Sequence, residues 1–293
     1  MSSDDEKRLF LWACVPALLA AAGYAVLPLQ SWDYWWHVAM GRLAATTGAV
    51  PDSAAYLYTM EAEAASFVQP WAAQRLLYWL HEAFGLRANL LWRDLAIAGS
   101  LLGACWWAGR RSERPVVAAL LGVAGLVVAF PLMDVRTNLF VLPLFVAVVA
   151  VAQAVRAGEL GRRWIWALPA ASLLWANLHG SFVVPAVVCL VFAGARLVGG
   201  RATRWWEWPA AGVASLAAPL VNPRGWAIYG YVYDVSTNPV IRKTVTEWFP
   251  TTLTFPSFAG PIFYLLVVLS ALVFWSSRSE LDAADPGLVV VFG

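Results

Sequence analysis

Eight stretches of the chain, residues 9–29, 88–108, 115–132, 138–155, 164–178, 181–199, 208–221 and 260–276, are apolar and almost free of charge. Most approach the roughly 20 residues a helix needs to cross a bilayer. In lipid the backbone amides and carbonyls must be paired within the segment, which a helix does and a single strand does not. The expected fold is therefore an all-α polytopic membrane protein, with a ninth span opening at Pro286 and cut by the chain end at Gly293. Hydrophobic residues at 61%, charged residues at 13% and a mean hydropathy of +0.64 exclude a soluble enzyme. A net charge of only +2 offers no basic surface for nucleic acid. Cys14, Cys105 and Cys189 lie in apolar stretches without metal-type spacing and read as small core residues.

Alternating the spans predicts the orientation. One side receives Lys7, Arg8, Arg110, Arg111, Arg114, Arg156, Arg162, Arg163, Arg196, Arg201, Arg204 and Arg278, which is twelve of the 20 basic residues. They flank the N-terminus and the short loops 109–114, 156–163, 200–207 and 277–285, so this side is expected to be cytoplasmic. Met1–Arg8 resembles a signal-peptide leader in charge, but the following core is long and Trp32-Asp33-Tyr34-Trp35-Trp36 stands where a small-residue cleavage site would be. A retained first span is expected. Segments 30–87 and 222–259 become two long extracytoplasmic loops, too long for plain connections. No periodic repeat divides the chain, and 1–293 is expected to form one transmembrane domain in the cell membrane.

The unusual polar residues fall on the outer side. Asp33 and His37 follow the first span, Asp134 and Arg136 occupy the turn after the third, and Asn177 and His179 the turn after the fifth. Asn222 and Arg224 follow the seventh span, and Glu247 precedes the eighth. Ionisable groups at membrane depth are costly and are functional candidates by default. Their delivery from five parts of the chain is what a site built between helices requires. Asp33 and His37 are four apart and share a helix face, while Tyr34, Trp35 and Trp36 suit a helix lying along the outer interface. A second interfacial helix is expected over Trp71–Ala83, with Gln74, Arg75, His81 and Glu82 on its polar side.

The stretch Asp33-Tyr34-Trp35-Trp36-His37 with Gly41-Arg42, then Gly48-Ala49-Val50-Pro51 and Tyr58-Thr59, resembles the first outer loop of bacterial multispan members of the GT-C glycosyltransferase superfamily. Asn177-Leu178-His179-Gly180, Asn222-Pro223-Arg224-Gly225, Glu247-Trp248 and Arg136 are shorter islands of the same likeness. Two positions depart from that pattern: Ala54 stands where a second acid would follow Pro51, with Asp52 two places earlier, and Thr137 replaces a proline after Arg136. The resemblance implies a GT-C-like fold and transfer of a sugar, with inversion, from a polyprenyl-phosphate donor to a glycan, lipid or protein acceptor at the extracytoplasmic face.

That chemistry needs a carboxylate to take the acceptor's proton and a cation to hold the departing phosphate. Asp33 is the expected catalytic residue, unless it caps the interfacial helix. Arg136, Arg224 or both would hold phosphate through a planar fork, the alternative for Arg136 being a side chain that snorkels to headgroups. His37, Asp134, His179, Asn177 and Glu247 are expected around the substrate. Each also has a plainer reading: an interface histidine, an acid paired with Arg136, turn residues beside Gly180, a loop contact. Asn222-Pro223 is a turn signal in its own right. Asp33, His37 and His179 form the one conceivable divalent-metal set. From a different class, a multispan transporter or a non-catalytic lipid-binding protein would share this hydropathy, but spans three, four, six and eight carry no carboxylate, lysine or histidine for a midplane pathway.

Overall fold

The structure is a computed structural model that describes residues 3–31, 33–51, 70–130, 133–198, 206–244 and 259–276. Among these residues it is all-α. In chain order the helices are α1 (Ser3–Ala25), α2 (Asp33–Thr47), α3 (Trp71–Phe84), α4 (Leu86–Ser112), α5 (Pro115–Ala129), α6 (Leu142–Ala157), α7 (Ala167–Leu178), α8 (Val184–Val198), α9 (Glu207–Ala217), α10 (Ala227–Thr237), α11 (Pro239–Thr244) and α12 (Ala259–Ser276). Short 3-10 turns lead into α6 and α7 and follow α9.

Local chemistry explains the boundaries. Asp4, Asp5 and Glu6 sit in the first turn of α1, where the helix dipole favours negative charge. Pro115 occupies the first turn of α5, where its missing N–H leaves no bond unmade. Gly158, at φ 77°, ends α6 in the left-handed conformation that side chains resist.

Two packed groups emerge. In the first, α1, α4 and α5 lie together around Ala20, Tyr24, Ala96, Ile97 and Leu126. In the second, α6 to α9 surround Trp175, Phe182, Phe192 and Trp208, the last two stacked with ring centroids 4.8 Å apart. Packing of α4 on α6 joins the groups, and α2 and α3 cross at one end. The crossing depends on Gly41: a side chain there would run into the backbone carbonyl of Gln74 and the Tyr78 Cβ.

Much of the outer surface is apolar. Leu18, Leu95, Leu120 and Val213 are each 59–68% exposed, a pattern at odds with a surface made for water. Two helical stretches, Ser3–Ala25 and Thr137–Ala157, are long and apolar enough to cross a membrane. Together these features point to membrane association. Each of the other six expected spans carries a helix, but a shorter or more polar one. The helices Pro115–Ala129 and Val184–Val198 are apolar but have only 15 residues each, whereas Ala259–Ser276 is apolar over 18. The helix of α7 has 12 residues, about 18 Å at 1.5 Å per residue, against a hydrocarbon core of about 30 Å. In α4, Arg93 and Asp94 interrupt a segment expected to be dry.

Helices form at both segments where interfacial helices were expected, as α2 and α3, with one reversal of face. Gln74, expected on the polar side of α3, is fully buried against α2, while Leu76 and Trp79 are 37% and 49% exposed. Cys105 and Cys189 are buried.

Candidate functional site

The end of α1 sets the geometry. A helix terminus leaves its last carbonyls without partners, and here Arg93 of α4 supplies them. Its Nη2 donates to the carbonyls of Tyr24 at 2.6 Å and Leu27 at 3.2 Å. Its Nε donates to Asp94 at 3.0 Å, its Nη1 lies 3.5 Å from the Asp134 carboxylate, and the guanidinium lies over the Tyr24 ring. At 2% exposed, Arg93 is a buried cation with two carboxylates for company.

Asp134 carries this order outward. Its Oδ2 accepts from the backbone N–H of Gln30 at 2.7 Å and from that of Ser31, and its Oδ1 accepts from Val135 N–H at 2.7 Å. The chain leaving α1 is thereby pinned to the connection between α5 and α6. Ser31 Oγ then accepts from Arg136 Nε at 3.2 Å, and Arg136 Nη2 pairs with Asp33 at the start of α2. The two side chains of this pair are 28% and 51% exposed, so a ligand can reach both.

One turn further along α2, the Nδ1 of His37 lies 3.3 Å from the Gln74 amide nitrogen, which donates to it. Burial lowers the pKa of His37 to about 4; Asp33 opposes the shift, while Arg136 and His179 reinforce it. His179 follows α7, and burial, aided by Arg136, lowers it likewise to about 4. Both rings are neutral at pH 7. The backbone N–H of Ser181 donates to His179 Nδ1 at 3.2 Å, which puts the ring proton on Nε2. Asp33, Arg136 and His179, from three separate parts of the chain, therefore all act on His37.

A second polar group adjoins them. Asn177 Oδ1 accepts from Trp71 Nε1 at 2.8 Å and Asn222 Nδ2 at 3.0 Å, while Asn177 Nδ2 donates to the Leu173 carbonyl at 2.8 Å. Asn222 is buried and also accepts from Arg224 N–H at 2.9 Å, closing the turn its Asn-Pro sequence predicts. Arg224 donates from Nη2 to the Pro51 carbonyl, tying the interior of the first long loop to the turn after α9. Its buried Nε has no hydrogen-bond partner among the described residues.

Several expectations change in detail. Asp134, weighed as a partner for Arg136 in their shared turn, instead binds backbone N–H groups and faces Arg93. Arg93, Ser31, Gln74 and Trp71 belong to the network although none was a sequence candidate. The Arg-Asp pair inside an apolar run was the available signal for Arg93. Glu247 lies outside the described residues, as do Asp52, Tyr58, Thr59 and Trp248. Among the described residues no three His, Cys, Asp or Glu side chains group as a metal-binding set.

No protein-family model, curated protein or solved structure matches the chain. The GT-C likeness rests on its quoted residues.

Proposed function

We propose that the chain is a multispan membrane glycosyltransferase that moves a sugar from a polyprenyl-phosphate donor to an acceptor hydroxyl at the extracytoplasmic face. The single observation that carries the reading is the accessible Asp33–Arg136 pair, set beside two neutral histidines at one end of the bundle. A carboxylate and a guanidinium side by side are the two charges this transfer uses. Asp33 takes the proton of the acceptor hydroxyl as its oxygen bonds to the anomeric carbon. The bond from that carbon to the phosphate oxygen breaks, and the lipid phosphate departs as an anion held by Arg136. Neutral His37 and His179 can hydrogen-bond sugar hydroxyls without competing for the phosphate. Arg136 suits the phosphate better than Arg224 because it lies against Asp33, the proposed base.

The eight helical segments, the exposed apolar side chains and the distribution of arginines support a multi-pass arrangement with this end outside and the N-terminus cytoplasmic. A second reading, a non-catalytic lipid-binding protein, draws on the same pair: a carboxylate already neutralised by its own arginine could serve as a latch. Proteoliposomes charged with radiolabelled polyprenyl-phosphate sugars separate the two. Wild type should transfer, and Asp33→Asn should lose about 100-fold or more while staying folded. Undiminished transfer by Asp33→Asn removes the proposed base, and no transfer by wild type with any donor removes the enzyme.

A further inference from the structure

At the end of the bundle opposite Asp33, the first turns of α1, the end of α4 and the start of α5 enclose a cleft of about 760 Å³. Arg8, Arg110 and Arg114 line it together with Asp5, Glu6 and Glu113. Their formal charges cancel, so a ligand bearing one sign alone would meet as much repulsion as attraction. We propose that this cleft binds the headgroup of an amine-bearing zwitterionic phospholipid. The proposal rests on the multispan reading, which puts this end at the cytoplasmic leaflet.

The arginines that line the cleft suit a phosphate. Val116 and Val117 lie in the first turn of α5, where backbone N–H groups have no intrahelical acceptor and the helix dipole attracts an anion. Arg114 immediately precedes that turn. Arg110 lies with its guanidinium over the Trp106 ring, an arrangement that covers one face and leaves edge donors for a phosphate oxygen.

The carboxylates that line the cleft suit a primary ammonium. Glu113 stands at φ 57°, the one non-glycine residue with positive φ among those described. Glycine would take that conformation without steric cost, so this turn keeps a carboxylate where the backbone favours having no side chain. With Glu6, which also lines the cleft, it offers acceptors to the N–H bonds of an ethanolamine-type amine. A choline group has no such bonds to give, and a glycerol headgroup has no positive charge.

The lining then turns apolar through Leu9, Pro115 and Val117. Along the same helix Val117, Leu120 and Leu121 are 47%, 64% and 53% exposed and offer a track for acyl chains. This continuity is why the ligand is a lipid and not a soluble zwitterion.

The test is thermal unfolding of the full chain in mild detergent, titrated with dihexanoyl phosphatidylethanolamine, phosphatidylcholine, phosphatidylglycerol or free phosphoethanolamine. The ethanolamine lipid should stabilise at about tenfold lower concentration than the other two lipids, with the free headgroup weaker still. Glu113→Gln and Glu113→Gly should both erase the preference for ethanolamine over choline, and Arg114→Gln should weaken all phosphate-bearing ligands. Equal responses to the three lipids, or a preference that survives both Glu113 variants, overturns the proposal. A full effect from free phosphoethanolamine overturns the lipid assignment. Extraction of the wild type from vesicles by carbonate would strike at the multispan reading, whereas carbonate resistance without lipid preference strikes only at the cleft.

Discussion

Replacing Arg93 by Met keeps most of the apolar stem and removes the guanidinium. Three donated hydrogen bonds disappear, two of them to the carbonyls of Tyr24 in the last turn of α1 and Leu27 just beyond it, and Asp94 and Asp134 lose the cation between them. Removing one partner from a buried ion pair costs about 3–5 kcal/mol. The two carboxylates keep 16% and 17% of their surface, so water relieves part of the penalty and the lower end applies. About 3 kcal/mol, or roughly two orders of magnitude in the folding equilibrium, is expected. Reversible unfolding in mixed micelles measures it. Asp134→Asn should offset part of the loss, so that the double variant is more stable than the sum of the singles by about 1 kcal/mol. A loss for Arg93→Met under about 0.5 kcal/mol, or strict additivity, would refute the view that one buried guanidinium organises the entry to the site.

His37 and His179 predict acid sensitivity. Their folded pKa values, about 4, lie below the ordinary 6.5, so the unfolded chain binds more protons between those pH values. Stability should be complete above pH 6.5 and fall as pH drops towards 4, by up to about 3 kcal/mol per histidine. A His37→Asn, His179→Asn variant should flatten that slope, and parallel curves for the two proteins would contradict the burial argument. Gly41→Ala should cost about 1–3 kcal/mol by forcing α2 away from the Gln74 carbonyl. Gly99→Ala, with open space around the added carbon, serves as its control, and equal stability of both variants would exclude a tight crossing at Gly41.

What could be read beforehand follows from the range of each signal. Helical periodicity and clustered tryptophans are local, and α3 lies within one residue of its expected segment, while α2 runs on to Thr47, well beyond the Tyr34–Trp36 cluster that pointed to it. Asp33 and His37 shared a face because a helix puts residues four apart together. Arg136 and His179 could be assigned to the same side from span alternation, but their meeting with Asp33 depends on how α1, α4 and α7 pack. Hydropathy also misled in one respect: by averaging over its window it absorbed Arg93 into an apolar run, and a buried cation has no periodic signature. The inward turn of Gln74 was equally hidden, because it arises from the space that Gly41 leaves for a partner helix.

The pairing of Asp33 with Arg136 spans 103 positions, and a ribosome supplies those positions in order. At about 5–20 residues per second, roughly 5–20 s separate synthesis of the carboxylate from synthesis of its guanidinium. Asp134, which fastens residues 30 and 31, emerges just before Arg136 and after the whole of α4 and α5. The first loop thus waits for its anchor through the synthesis of two further helices. A nascent chain arrested before residue 136 carries a carboxylate without its cation and an α1 exit without its clasp, and closure of that clasp records that the first group of helices is complete.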